Sequence, residues 1–284
     1  MKVKANAKVN LSLDVTGKRD DGYHTLCSVF QSVSLSDILD VSLADEISVR
    51  CSDERLAGEN NLCFKAAGLF FEAAGLDSGA DIYIEKHIPE AAGLGGGSAD
   101  AAATLVALNS LSGNPLSQEK LLEIALKLGA DVPFCMLGGT RLCEGIGEIM
   151  TELECLPECY IVVAKKGIKS STGDMYRALD SDFDRRHPDT ATVLSGLKSG
   201  KLTEIFDGAY NCFESVSDGA DLDEARAIAK RHCAVYCGLS GAGPSVISVF
   251  EDKMNAEAVA HELATADFLS FITVPLKNGV EIIE

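Results

Sequence analysis

The sequence predicts an α+β fold made of two units, and three observations support this. Apolar and polar residues alternate in places, for example over 9–13, which is typical of a half-buried strand. Elsewhere apolar residues recur at helical spacing, for example over 61–74. Strands and helices are grouped unevenly instead of alternating regularly, which favours α+β over α/β. Since the pattern restarts near the middle of the chain, we expect one unit at 1–155 and another at 156–284.

The first unit is predicted to mix strands and helices. The expected strands cover 9–13, 28–35, 45–50 and 82–88, and the expected helices cover 61–74, 98–108 and 117–128. Gly75 and Gly129 each follow a predicted helix, where glycine readily takes the conformation that ends it. Pro89 ends the last predicted strand because it lacks the N–H that a sheet needs.

The second unit is predicted to contain four strands and two helices. They cover 160–164, 234–236, 246–250 and 271–275 as strands, and 221–231 and 256–264 as helices. The run 160–164 is apolar throughout, which is typical of a buried strand. We expect the last apolar segment, 280–283, to return to the first unit.

The composition limits the classes of partner. The 284 residues are 46% hydrophobic and carry a formal net charge of −18. This charge disfavours nucleic acid and anionic membranes as main partners, and no apolar run reaches the roughly 20 residues of a membrane span. The first residues lack the apolar segment of a secretory signal, so we expect a cytoplasmic protein, a monomer or weak homodimer, that acts on a small molecule. If that molecule is an anion, lysines, helix N-termini or a metal must supply local positive potential.

Ten cysteines are scattered through mostly apolar stretches. A cytoplasmic protein is not expected to form disulfides, and no CxxC-like pair with histidine partners indicates a zinc site. The cysteines are therefore predicted to be small buried hydrophobic residues.

Residues 93–97 form a glycine-rich run that leads through Ser98 into a predicted helix. Glycine lets a backbone approach a ligand closely, and the unpaired N–H groups of a helix N-terminus bind anions. Ser98 is expected to cap this helix and to lie near a phosphate or a metal. The Walker pattern is absent because no lysine precedes Ser98, and the dinucleotide pattern fails because its third glycine falls on Ser98. The run indicates a phosphate loop of another kind, and a tight turn without function is the alternative.

Four other features have ordinary structural interpretations when each is taken alone. The second glycine-rich stretch, 238–245, is assigned by spacing to a hairpin turn, and the alternative is a loop that closes over a nucleotide. Lys8 beside a strand is expected at a solvated edge. Asp131 is expected in a turn or at a helix N-cap. Asp-Gly-Tyr-His at 21–24 favours a hairpin tip.

Taken together, these motifs resemble the GHMP kinase superfamily over nearly the whole chain. The resemblance rests on segments 8–11, 19–26, 89–98, 128–133, 144–148 and 240–243. It implies a kinase that phosphorylates a small alcohol with ATP and Mg²⁺. It also implies an N-terminal unit like ribosomal protein S5 domain 2, a ferredoxin-like C-terminal GHMP unit, and an active site in the cleft between them.

The resemblance also implies roles for individual residues. Asp131 corresponds to the catalytic base and Lys8 to the lysine beside it. The ATP-binding positions are Asn61, Lys86, Pro89, Ala91, Ala92, Gly93, Leu94, Gly95, Gly96, Gly97 and Ser98. The metal ligands stay open, with Mg²⁺ expected near Ser98. These roles agree with the chemistry of phosphoryl transfer. A carboxylate can orient or deprotonate the acceptor hydroxyl, and a nearby ammonium keeps the carboxylate ionised.

Within the superfamily, the segments 21–24 and 128–133 resemble the branch whose substrate is a cytidine diphosphate of methylerythritol. This branch phosphorylates the 2-hydroxyl, in the non-mevalonate route to isoprenoid precursors. The implied substrate-binding positions are Asn10, Tyr23, His24, Phe30, Thr172, Tyr176 and Gly241. Tyr23 and His24 would hold the cytosine by stacking and by hydrogen bonding, with Tyr176 on its other side.

A homoserine or mevalonate type of GHMP kinase is the alternative, although an aromatic clamp has no purpose for a small aliphatic alcohol. A non-catalytic nucleotide binder is disfavoured because it would not need both Lys8 and Asp131. The chain departs from the usual pattern in three places. The second glycine-rich stretch reads Ser-Gly-Ala-Gly at 240–243, where some members show a Thr-Gly-Thr-Gly-like form. Gly173 and Asp174 stand where a proline is usual, and 181–208 shows no clear match.

Overall fold

The computed structural model describes residues 1–167, 171–182 and 184–283. The strands are β1 (Lys2–Lys18), β2 (His24–Ala44), β3 (Ser48–Cys51), β4 (Gly79–Glu85), β5 (Thr140–Gly145), β6 (Ile149–Glu152), β7 (Tyr160–Lys165), β8 (Tyr236–Leu239), β9 (Val246–Phe250), β10 (Leu269–Thr273), β11 (Pro275–Leu276) and β12 (Val280–Ile282). The α-helices are α1 (Leu62–Ala74), α2 (Gly96–Leu111), α3 (Gln118–Leu128), α4 (Val132–Leu137), α5 (Thr172–Asp180), α6 (Thr190–Ser199), α7 (Leu202–Asp207), α8 (Ala220–Arg231) and α9 (Lys253–Thr265). Short 3₁₀ helices cover Glu54–Leu56 and Cys212–Ser215.

The first sheet is organised around the long hairpin of β1 and β2. Its main path is β12-β1-β2-β4-β3, in which only β3 and β4 run parallel. One half of β2 pairs with β4, and the other half pairs with β5, which in turn pairs with β6. The C-terminal strand β12 pairs antiparallel with β1, with Val3 opposite Ile282. The chain therefore leaves this sheet after β6 and comes back to it at its end.

Helix α2 lies at the centre of the first unit. It contacts β1, β2, α1, α3 and α4. Its sequence is rich in alanine, and residues 99–105 are all buried. Small side chains let several elements approach the helix backbone closely, so the N-terminus of α2 is held in a fixed position.

The second sheet has the order β10-β7-β9-β8 and is antiparallel throughout. Helices α8 and α9 pack on it, and their apolar faces join a core that includes Phe213 and Phe250. Leu13 of β1 forms a β-bridge with Asn211, so the two units are joined by backbone contact. None of the described helices has the length and apolar character that spanning a bilayer requires.

Predicted elements were mostly found, but several boundaries were wrong. The strand predicted from residue 45 begins at Ser48, because 45 and 46 form a bend. The strand predicted at 82–88 is Gly79–Glu85. The strand predicted at 234–236 is Tyr236–Leu239, because Cys233 takes a φ of 58° in the turn that ends α8.

The prediction that Ser98 caps the N-terminus of α2 was also wrong. Helix α2 begins at Gly96 with Gly95 as N-cap, so Ser98 lies inside the first turn. Six of these elements had not been predicted: the strands β5 and β6, which form a hairpin, and the helices α4, α5, α6 and α7.

Candidate active site

A cleft of about 1120 Å³ lies between the two units. Every site residue predicted from the sequence lines it: Lys8, Asn10, Tyr23, His24, Phe30, Asn61, Lys86, Pro89, Ala91, Ala92, Gly93, Leu94, Gly95, Gly96, Gly97, Ser98, Asp131, Thr172, Tyr176 and Gly241. These positions are spread over more than 230 residues of sequence, and the fold brings them to one place.

The first glycine run forms the loop that leads into α2. Gly93 and Gly95 take φ values of 76° and 71°, which a residue with a Cβ adopts only with strain. The Lys8 N–H donates to the Leu94 carbonyl at 3.0 Å, so β1 holds the loop in place. The first helical hydrogen bond is donated by Ala99 to Gly95, and within the described ranges no side chain caps the helix. The N–H groups before Ala99 are therefore available to an anion, as the phosphate-loop interpretation requires.

The second glycine-rich stretch is a hairpin turn between β8 and β9, and it packs against the first loop. A Cβ on Gly93 would lie 2.5 Å from the carbonyl oxygen of Ser240, so the two backbones can approach only because Gly93 is glycine. The Gly241 N–H donates to Asn10 Oδ1 at 2.9 Å. The hairpin interpretation is therefore correct, and the hairpin also forms part of the cleft wall.

Lys8 and Asp131 meet at the bottom of the cleft. Lys8 is 4% exposed, so the expectation of a solvated edge lysine was wrong. Its Nζ lies 3.5 Å from Asp131 Oδ2, 3.1 Å from Asn10 Oδ1, and 4.4 Å from the centre of the Phe30 ring. Asp131 occupies the N-cap position of α4, as predicted, but its side chain makes no capping bond there. The carboxylate faces the lysine and the cleft instead.

Three hydrogen bonds tie the Asn10 side chain to other parts of the protein. Its Oδ1 accepts from Lys8 and from Gly241, and its Nδ2 donates to Ser28 Oγ at 2.9 Å. These bonds hold Lys8 and the second glycine loop in a fixed relation to each other. The substrate contact predicted for Asn10 remains a prediction.

Lys86 lies behind the phosphate loop between two acidic side chains. Its Nζ donates to Asp37 Oδ2 at 2.5 Å and to Asp100 Oδ2 at 2.7 Å. Burial alone would lower the pKa of Lys86, but the two carboxylates outweigh it and raise that pKa above its ordinary value. Burial, followed by the charge of Asp37, raises the pKa of Asp100 well above its usual range. A Cβ on Gly96 would lie 3.4 Å from Lys86 Nζ, so this cluster supports the loop from behind.

An aromatic group forms the opposite end of the cleft. The His24 ring lies parallel to the Tyr176 ring, with centroids 4.5 Å apart and planes 19° apart. Phe213 meets Tyr176 edge-on at 5.0 Å. Tyr23 stands at the tip of the β1–β2 hairpin and is 62% exposed. Thr172 begins α5, the helix that carries Tyr176. The three rings therefore lie together at this end of the cleft, with His24 stacked directly on Tyr176.

Three cationic residues that line the cleft were missed by the sequence analysis: Lys18, Arg55 and Arg177. Each is paired with a nearby aspartate: Lys18 with Asp180, Arg55 with Asp53 and Arg177 with Asp174. Like Lys8 and Lys86, these three residues place cationic groups at the cleft, each beside a carboxylate. An anionic substrate of an acidic chain implies that such cationic residues exist, but the sequence does not indicate which of them face the cleft.

The donor set of the cleft fits a nucleotide-bound metal better than a metal held by the protein alone. Within the described ranges no three histidine, cysteine or acidic side chains cluster as a metal site. Mg²⁺ in phosphoryl-transfer sites takes one or two protein ligands and completes its shell with phosphate and water. Ser98 lines the cleft within the first turn of α2 and has the oxygen that such a metal prefers.

Two family models match the chain. The model for the GHMP kinases N terminal domain matches residues 61–139, and the model for the GHMP kinases C terminal matches 195–268. Together they span more than half of the sequence, and the N-terminal match contains the phosphate loop and Asp131. The chain therefore belongs to the GHMP kinases, and the prediction of a two-domain GHMP kinase fold is confirmed.

Comparison with individual proteins identifies the family within the GHMP kinases to which the chain belongs. A protein of Caldicellulosiruptor saccharolyticus named 4-diphosphocytidyl-2-C-methyl-D-erythritol kinase is 41% identical over 268 residues, 93% of this chain and 92% of that protein. A crystal structure of 4-(cytidine 5'-diphospho)-2C-methyl-D-erythritol kinase has 34% identity and a TM-score of 0.82, covering 97% of this chain and 99% of its own. Homoserine kinase from Cytophaga hutchinsonii has a TM-score of 0.78 over 100% of this chain and 97% of its own, at 21% identity, and shares the fold alone. Within the GHMP kinases, the chain belongs to the family of the Caldicellulosiruptor protein.

Proposed function

We propose that this kinase transfers the γ-phosphoryl group of ATP to the 2-hydroxyl of 4-diphosphocytidyl-2-C-methyl-D-erythritol, giving the 2-phosphate and ADP. The observation that carries the proposal is the placement of Lys8 and Asp131 in the same cleft as the uncapped N-terminus of α2. A phosphate donor, an acceptor hydroxyl and a carboxylate can meet there.

The chain contributes to the reaction by positioning and by electrostatics. The N–H groups at the start of α2 would bind the nucleotide phosphates. Asp131 would accept or orient the proton of the acceptor hydroxyl, and Lys8 would offset charge on the transferring group. When bound, Mg²⁺ would neutralise phosphate charge, and Ser98 is the side chain that we expect to contact it.

The cytidyl end of the substrate would occupy the aromatic end of the cleft. Tyr176 and Tyr23 would offer faces for stacking, and His24 would offer a polar edge. Phe213 packs edge-on against Tyr176 and His24 is stacked on it, so these two rings hold Tyr176 in place. A small aliphatic alcohol would make no use of this surface.

We also propose that the protein acts in the cytoplasm as a monomer or weak homodimer. Every site position predicted from the sequence lines a cleft of the single chain, which supports this proposal.

The proposal is tested by ADP release, with the cytidyl substrate, mevalonate and homoserine offered in turn. We expect turnover of the cytidyl compound alone. Asp131→Asn should lower kcat by about 10²- to 10⁴-fold, while the exposed control Asp77→Asn should not change it. Turnover of another alcohol would contradict the substrate, and an active Asp131→Asn protein would contradict the role of Asp131.

A further inference from the structure

Lys18, Asp180 and His24 form a hydrogen-bonded chain at the mouth of the cleft. Asp180 Oδ1 lies 2.6 Å from His24 Nε2, and Asp180 Oδ2 lies 2.5 Å from Lys18 Nζ. Lys18 ends β1, His24 begins β2, and Asp180 is the last residue of α5. The three side chains therefore connect the tip of the long hairpin to the helix that carries Tyr176.

This arrangement fixes the tautomer of His24. Hydrogen bonds from Lys18 and from His24 hold the pKa of Asp180 below its usual value, so the carboxylate is ionised at neutral pH. An ionised carboxylate only accepts hydrogen bonds, so His24 Nε2 must carry the proton. In the neutral imidazole, Nδ1 then has a free lone pair and is an acceptor. Within the described ranges, no protein group is hydrogen-bonded to Nδ1, and His24 lines the cleft.

The orientation of the ring decides what can meet this acceptor. The Nδ1 lone pair lies in the plane of the His24 ring, and this plane is nearly parallel to the Tyr176 ring. A base hydrogen-bonded to Nδ1 would lie close to that same plane. At position 4, cytosine has an amino group that donates, whereas uracil has a carbonyl oxygen that accepts.

We propose that Asp180 is a positioning residue that sets the base selectivity of the kinase. By holding the proton on His24 Nε2, Asp180 makes Nδ1 an acceptor, which matches a cytosine amino group and opposes a uracil carbonyl. The proposal rests on the proposed function, in which the acceptor alcohol carries a cytidine diphosphate. It assigns Asp180 and Lys18, which the sequence analysis missed, to the recognition of the base.

The substitution Asp180→Asn tests this directly. The asparagine has one accepting oxygen, which Lys18 would hold, and its amide nitrogen would then donate to His24 Nε2. The proton would move to Nδ1, which would become a donor. We expect the ratio of kcat/KM for the cytidyl substrate to that for the corresponding uridine diphosphate compound to fall on the order of tenfold or more. The change should be in KM for the nucleotide-linked alcohol, with KM for ATP unchanged.

Asp223→Asn, which removes the same charge from the exposed start of α8, should leave the ratio unchanged. An unchanged ratio in a folded Asp180→Asn protein would overturn the proposal. So would ¹⁵N NMR of the unmodified protein showing the neutral His24 ring protonated at Nδ1. If the unmodified protein uses neither nucleotide compound, the proposed function fails, and the NMR result still decides the assignment for Asp180.

Discussion

At the scale of single residues, the positive charge of Lys86 is largely buried. Its partners Asp37 and Asp100 have side chains that are 0% and 4% exposed. Removing the lysine would leave two acidic groups close together without a counter-charge, and breaking a buried pair in this way costs about 3–5 kcal/mol. We expect Lys86→Met to lower the free energy of unfolding by about that amount, as measured by urea denaturation.

Lys65→Met is the matched control, because Lys65 lies exposed on α1. That change should alter the free energy of unfolding by no more than about 0.5 kcal/mol. If the two variants are equally stable, Lys86 does not have the structural role described here.

The sequence could predict which residues line the cleft, because the motifs fix residue type and order. It could not predict how those residues are paired. Lys86 reaches Asp37 across 49 positions, and Lys18 reaches Asp180 across 162 positions. Such pairs form only when distant strands and helices come together, so no local pattern indicates them.

At the scale of elements, long segments with clear periodicity were predicted and short ones were missed. Helix α3, with apolar residues on one face, was found at almost its predicted bounds. Helix α4 has six residues, Val-Pro-Phe-Cys-Met-Leu, with no polar face to reveal a helical period. The hairpin of β5 and β6 was missed because β6 is largely exposed and lacks a buried alternation.

The glycines of the phosphate loop are needed for different reasons, so we expect their substitutions to have different effects. Gly97 lies in the first turn of α2, and a Cβ there would meet nothing within 4 Å. We expect Gly97→Ala to raise the free energy of unfolding by up to about 1 kcal/mol. It should raise KM for ATP, because the added methyl group would stand at the helix N-terminus, where the phosphates are proposed to bind.

Gly93→Ala is the comparison. It forces an alanine into a φ of 76° and places its Cβ against the Ser240 carbonyl, so it should lower stability by about 1–3 kcal/mol. Thermal denaturation and ATP kinetics of both variants would separate fold from binding. A Gly97→Ala protein with normal KM for ATP would contradict the placement of the phosphates.

At the scale of the whole molecule, the ten cysteines are free thiols, and six of them are buried. Burial raises the pKa of Cys143, Cys159 and Cys212 to about 12. These thiols keep their protons in the folded chain while those of the unfolded chain ionise near pH 9, so unfolding releases protons and stability falls as pH rises above about 9. Each such thiol should remove roughly 1.4 kcal/mol per pH unit there.

Urea midpoints measured at pH 8, 9 and 10 would show this fall. Cys143→Ala should flatten the pH dependence by about one proton, whereas Cys155→Ala, at an exposed position, should leave it unchanged. Equal midpoints at pH 8 and pH 10 would contradict the account of the buried thiols.

In the proposed reaction a phosphate donor and a cytidyl alcohol meet at Lys8 and Asp131, and proton-coupled ³¹P NMR of the products tests this proposal most directly. The 2-carbon of the acceptor carries a methyl group and no hydrogen. A phosphate transferred to its hydroxyl should therefore give a single unsplit phosphomonoester line, which appears together with ADP. A line split by neighbouring protons would show transfer to another hydroxyl, and the absence of any new phosphomonoester would contradict the proposed reaction.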